Sequence, residues 1–182
     1  MAILQTYCAP MTGVEERLVI TATVPVGKTY RPGMVIDAST IDTTIDGNFS
    51  VYTGIAPADV KTTPLAIIIN GGWEQLPDGR RPEGQTDYTQ YPYNEGETFT
   101  AIFLDDHLRF QITQDCLAGN APTLGQYLCA VNNTTQLVAG ATKTSTNCLK
   151  VEALKYFRTA TQQGLGMINS YVCSASVHNA IA

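Results

Sequence analysis

Hydrophobic and polar positions alternate with a period of two along much of this chain, and Gly, Pro and Asp-Gly cut the alternation at short intervals. Leu18, Ile20, Ala22 and Val24 alternate with Val19, Thr21 and Thr23 and stop at Pro25 and Gly27. That is the pattern of a strand with one buried face. A turn at Tyr30-Arg31-Pro32-Gly33 precedes Met34-Val35-Ile36, and Asp46-Gly47-Asn48 is a hairpin-type turn before Phe49-Ser50-Val51-Tyr52. Residues 65–70 form an almost wholly apolar run bounded by Pro64 and Gly71-Gly72, which predicts a strand buried on both faces.

The rhythm returns after residue 98. Residues 99–104 and 108–113 flank Asp105-Asp106-His107, predicting a hairpin. Residues 115–119 read as a turn or a single helical turn, and residues 127–131 and 136–139 predict a second hairpin. A long strand-like run over 148–160 turns at Gln163-Gly164-Leu165-Gly166 and returns over 167–174 as a third. Leu149, Ala153, Leu154 and Phe157 also fit helical spacing, but the β-branched and aromatic content and the Gly-rich turn favour strands. The fold expected is all-β, a compact β-barrel or β-sandwich, with residues 17–182 as one domain or as two modules, 17–98 and 99–182.

Two segments fall outside this rhythm. Residues 1–16 have little periodicity and read as an extended N-terminal arm. Residues 72–97 hold three Pro, four Gly and the aromatics Trp73, Tyr88, Tyr91 and Tyr93. This loop is far longer than the usual ~4–6 residues, and Trp and Tyr supply the large, rigid contact area found at interfaces. Ile3, Leu4 and Tyr7 of the arm, with Trp73, Tyr88, Tyr91 and Tyr93 of the loop, are therefore the candidate contact residues. The plainer reading of the loop is an excursion that packs its aromatics back onto its own body.

Composition narrows the function. Charged residues make up 15% of the chain, against ~25% in typical soluble domains. The 24 Thr, 15 Gly and 9 Pro fit strands and tight turns. With a net charge of −5 and no basic patch, neither nucleic acid nor an anionic membrane is an expected partner. No secretory signal is expected, because the first residues lack a basic run followed by an apolar core. No apolar run approaches the ~18 residues of a membrane-spanning helix. Cys8, Cys116, Cys129, Cys148 and Cys173 are scattered with no metal-ligand spacing, so five free thiols in a reducing cytoplasm are expected.

Nothing in the chain assembles into catalytic machinery. Asp105, Asp106 and His107 are the sole carboxylate–imidazole cluster, and neighbouring residues at a hairpin tip point to opposite sides. His178 lies near the C-terminus, where order is poor. Glu74, Asp78, Glu83 and Asp87 sit in the long loop rather than on rigid strands, a poor setting for paired-carboxylate chemistry. There is no nucleophile elbow, phosphate-binding loop or zinc-protease motif. No enzyme, cofactor or metal is expected.

The run LRFQITQDCLAGNAPTLGQYLCAVNNTTQL at 108–137 resembles a pattern in the small decoration (cement) proteins of tailed-phage heads. The matching positions are Phe110, Ile112, Thr113, Asp115, Leu117, Gly119, Pro122, Gly125, Tyr127 and Leu128. The departures are an extra residue between Gly119 and Pro122, and Cys116 inside the Asp-Leu step. Residues 28–37, the strand over 149–153 and Tyr171-Val172 suit the same arrangement, so the likeness covers roughly two-thirds of the chain. It implies a non-catalytic structural protein of the bacteriophage virion that is made in the host cytoplasm. Such a protein binds the major capsid protein on the outer capsid surface, commonly as a homotrimer. Two other structural roles share the β architecture: a carbohydrate- or receptor-binding module stacking sugars on Trp73 and the tyrosines, and a head-completion or tail component.

Overall fold

The computed structural model describes residues 6–43, 51–70, 92–145, 147–161 and 164–177. The expected all-β architecture is what forms, as two curled sheets and a small ribbon. The five-stranded sheet runs in the order β4 (Val35–Asp37), β6 (Leu65–Ile68), β8 (Thr98–Phe103), β2 (Val19–Thr23), β5 (Val51–Thr53). The seven-stranded sheet runs β1 (Cys8–Pro10), β9 (Arg109–Thr113), β14 (Gly164–Val177), β13 (Asn147–Thr161), β11 (Tyr127–Cys129), β12 (Leu137–Gly140), β10 (Leu117–Ala118). The ribbon pairs β3 (Thr29–Tyr30) with β7 (Tyr93–Asn94). Pairing is antiparallel except between β2 and β5 and between β10 and β12.

The five-stranded sheet is covered on both sides, which explains the unbroken apolar run of β6. All four β6 residues are buried, and so are all three of β4. Register places Val35, Ile67 and Ile102 on one face and Ile36, Ala66, Ile68 and Ala101 on the other. The first face joins Phe110, Ile112, Leu128, Leu149 and Val151 of the seven-stranded sheet in the main core. The second forms a smaller core with Ile20, Ala22 and Phe99, roofed by Tyr30 and Tyr93 of the ribbon. Those two tyrosine rings lie 5.9 and 5.7 Å from the Phe99 ring. Replacing Phe99 with Ala would remove the centre of this cluster, at a cost of about 3–5 kcal/mol.

Several sequence expectations hold and others are corrected. The hairpins β11–β12 and β13–β14 form as expected, and the segment after β9 makes one helical turn at Gln114–Cys116. Residues 164–166 lie within β14 instead of forming the turn. The expected hairpin around Asp105-Asp106-His107 does not exist. β8 pairs with β2 and β6, whereas β9 pairs with β1 and β14, so this turn carries the chain from one sheet to the other. Alternation on both sides of a turn reveals two strands but not that they belong to different sheets. The same crossing ties residues 17–98 to residues 99–182 through one continuous core. The turn expected at Asp46-Gly47-Asn48 lies outside the described residues.

The N-terminal segment needs the largest revision. Residues 1–5 of the expected extended arm lie outside the described residues, and residues 8–10 pair with Ile112, Gln111 and Phe110 of β9 as the edge strand β1. Thr6 and Cys8 are buried. Asn70, just beyond β6, grips β1 from the other side. The Cys8 N–H donates to Asn70 Oδ1 at 2.6 Å, the Asn70 N–H donates to the Cys8 carbonyl at 2.9 Å, and Asn70 Nδ2 donates to the Thr6 carbonyl at 3.4 Å. β1 therefore closes the gap between the two sheets. The irregular hydrophobicity of this segment is what a three-residue strand with one buried cysteine looks like in sequence.

Candidate functional site

Of the seven candidate contact residues, Ile3, Leu4, Trp73, Tyr88 and Tyr91 lie outside the described residues. Tyr7 is half-buried; its N–H donates to Thr113 Oγ1 at 2.9 Å, and its carbonyl accepts from the Thr113 N–H at 3.0 Å. Burial, and then the neighbouring Cys8, raise the Tyr7 hydroxyl pKa above its ordinary value. Tyr93 makes its contacts inside the core of its own chain. It stands opposite Tyr30 in the ribbon, is buried against Phe99, and donates its hydroxyl to the Ile69 carbonyl at 3.3 Å. For this member of the long loop, packing back onto the body is the reading that holds.

The acidic turn performs a structural task. Asp105 Oδ1 accepts the Asp106 N–H at 2.7 Å, and its carbonyl accepts the Leu108 N–H at 3.1 Å. Its other carboxylate oxygen lies 3.9 Å from the Arg17 guanidinium. Among the described residues, no three His, Cys, Asp or Glu side chains are placed to hold a metal ion. Glu74, Asp78, Glu83, Asp87 and His178 lie outside the described residues.

The cysteines divide into two kinds. Cys129 and Cys148 stand opposite each other on β11 and β13, with Cα atoms 4.6 Å apart, and form a disulfide. This corrects the expectation of five free thiols. Directly opposed residues at the close pairing sites of antiparallel strands bring their Cα atoms to about 4.5 Å, within bridging range. The linear spacing of the two cysteines carries no trace of that register. Cys8, Cys116 and Cys173 are free and buried. Burial raises all three thiol pKa values, that of Cys8 well above normal, Cys116 to about 11 and Cys173 to about 12. At neutral pH they stay protonated, and the thiol form is neither a nucleophile nor a metal ligand.

Two surface features remain. An open cleft of about 480 Å³ lies between the β3 strand and the 133–136 turn, with Lys28, Tyr30, Met34, Ile55, Thr134 and Gln136 on its walls. The turn is fixed from below: Asn132 Oδ1 accepts the Val60 N–H at 2.9 Å, and the Asn133 N–H donates to the Pro57 carbonyl at 2.8 Å. The second feature is the outer part of the β13–β14 hairpin, where Leu154, Tyr156 and Met167 are 58%, 69% and 61% exposed. Sequence reasoning predicted this hairpin but not its role as a surface. The signal available was its length, since strands of 15 and 14 residues far exceed the usual ~5–6 and outrun any body that could cover them.

Comparisons of the chain with protein-family profiles, with curated proteins and with solved structures gave no match.

Proposed function

We propose that this chain is a non-catalytic virion structural protein, a homotrimer that binds the major capsid protein on the outer surface of a phage capsid and stabilises it. The observation that supports this reading is what the residues of the decoration-protein likeness do in the fold. Phe110, Ile112 and Leu128 are fully buried in the main core, and Leu117 nearly so. Thr113 is buried and holds the N-terminal segment through its hydroxyl. Gly119 and Gly125 take φ of 85° and 83°, the left-handed region that glycine enters without penalty. The shared pattern thus encodes the framework of the seven-stranded sheet rather than scattered surface positions. Fold and function remain separate claims, so capsid binding rests on its own test.

That test adds the purified protein to expanded phage heads lacking it and follows co-sedimentation. The expected result is saturable binding at a fixed multiple of the capsid protein, with heads that survive heating better than bare ones. Absence of binding at tens of micromolar protein would reject the proposal. A second reading, a carbohydrate- or receptor-binding module, draws support from the cleft, whose Asn133, Thr134, Thr135 and Gln136 supply amide and hydroxyl groups. Tyr30 in its wall is only 4% exposed and offers no stacking face for a sugar ring. Glycan binding lost on Gln136→Ala would move that reading ahead.

A further inference from the structure

The β13–β14 hairpin leaves the body of the molecule part-way along its length. On β13 the last residue paired outside the hairpin is Val151, which exchanges hydrogen bonds with Gly125 and Gln126. On β14 the first is Ser170, opposite Thr113. From Tyr156↔Asn169 to Thr161↔Gly164 the two strands pair only with each other among the described residues. Six such pairs at ~3.3 Å per residue make a two-stranded ribbon about 20 Å long. A two-stranded ribbon alone in water is marginally stable at best.

Its faces are not equivalent. Across the hairpin, Val151 stands opposite Cys173, Leu154 opposite Tyr171, and Tyr156 opposite Asn169, with Met167 two residues before Asn169 on β14. Paired residues share a face, and the register shift between Val151 and Ala153 keeps Leu154 and Tyr156 on the side of Tyr171. Val151, Tyr171 and Cys173 belong to the main core. Leu154, Tyr156 and Met167 therefore continue the core-facing side of the sheet beyond the point where the other sheet covers it. With exposures of 58%, 69% and 61%, they make an apolar strip that shares its face with Asn169. Exposed apolar side chains elsewhere, such as Met11, Val26 and Leu124, are of the kind any surface carries.

The charge of the ribbon points to its occupant. Residues 156–169 contain Arg158 and no acidic residue, and Lys155 stands at the root of the ribbon. With Lys155 and Arg158 set aside, the rest of the chain holds 9 of the 11 basic residues and all 16 acidic ones, a net −7. A cationic, apolar-faced ribbon is complementary to the anionic body of the same chain. One face of such a ribbon measures about 20 by 10 Å, far below the ~1,200 Å² of a stable interface. A small contact of this kind gains strength when symmetry repeats it and every copy both gives and receives.

We infer that the apolar strip Leu154, Tyr156 and Met167 of the ribbon docks on a second copy of this chain, in a closed assembly in which each copy gives one ribbon and accepts one. This deepens the homotrimer of the proposed function, and its test uses free protein without heads. A failure here therefore leaves capsid binding standing, and the converse holds. The experiment measures the mass of the full chain by light scattering at 1–50 µM, beside the variant Leu154→Thr/Tyr156→Thr/Met167→Thr, which keeps strand-forming residues. The expected outcome is an oligomer for the natural chain and, for the variant, dissociation at protein concentrations on the order of tenfold higher or more. A monomeric natural chain, or an unchanged oligomer in the variant, overturns the inference. A second measurement needs no variant. Zero-length crosslinking of mixed ¹⁴N- and ¹⁵N-labelled chains is expected to join Lys155 to an acidic residue in hybrid-mass peptides. Lys155 crosslinks confined to single-isotope peptides would also overturn it.

Discussion

Gly33 is packed so tightly that a single methyl group has no room. A Cβ there would stand 2.4 Å from Cys116 Cβ, and φ at this residue is 83°. Its N–H donates to the Ile68 carbonyl at 2.7 Å, so the backbone cannot retreat without breaking a sheet contact. Gly33→Ala is expected to destabilise the protein by about 3 kcal/mol, from overpacking with left-handed backbone strain added. A lowered urea midpoint at unchanged slope checks this, and an unchanged midpoint contradicts it. The three free thiols allow a second test at this scale. Native protein should react with a thiol reagent at none of them, whereas unfolded, unreduced protein should react at Cys8, Cys116 and Cys173 but not at Cys129 or Cys148. Because the folded thiol pKa values are raised, the stability these groups contribute is complete below the unfolded thiol range. It is lost as pH climbs towards about 11 and 12. Each thiol still protonated only in the folded state steepens the loss by about 1.4 kcal/mol per pH unit. Urea melts between pH 7 and 10.5 should therefore show stability falling above about pH 9, and a flat profile would contradict the burial.

Among the elements, β1 carries more than its three residues suggest. It pairs with β9 on one side and is held by Asn70 at the end of β6 on the other. Removing residues 2–11 is therefore expected to unfold the domain or lower its melting temperature by well over 10 °C, since a strand, the Asn70 contacts and a buried cysteine all go. An intact circular-dichroism spectrum and an unchanged melt would restore the reading of this segment as an extended arm. This is also where sequence legibility ends. The strands β2, β6, β11, β13 and β14 were readable because period-two alternation, or an unbroken apolar run, reports directly on which faces are buried. The sheet change at Asp105-Asp106-His107, the β1–β9 pairing and the Cys129–Cys148 bridge were not. Each is set by contacts between residues far apart in the chain, and local pattern holds no information about partner strands. Tyr93 shows the same limit in a single side chain. An aromatic residue in a polar loop reads as a contact, and only its pairing opposite Tyr30 reveals a core residue.

At the scale of the molecule, the described residues form two curled sheets with a core on each side of the five-stranded one, and the outer part of the β13–β14 hairpin extends from the other. Of the candidate contacts in the described part, Tyr7 is half-buried and Tyr93 buried, and the contact with a second copy is assigned instead to the exposed Leu154, Tyr156 and Met167. The body holds its polar groups in structural use: Asn70 and Asn147 cross-link segments, and Asp105 shapes a turn. The proposed capsid role asks such a body to act as a rigid piece of a larger assembly. The most direct test of that claim is the number and position of copies on a purified virion, by cryo-electron microscopy with quantitative mass spectrometry. The account predicts hundreds of copies arrayed as trimers over the outer shell. A few copies at a vertex or tail, or none on the particle, would contradict it.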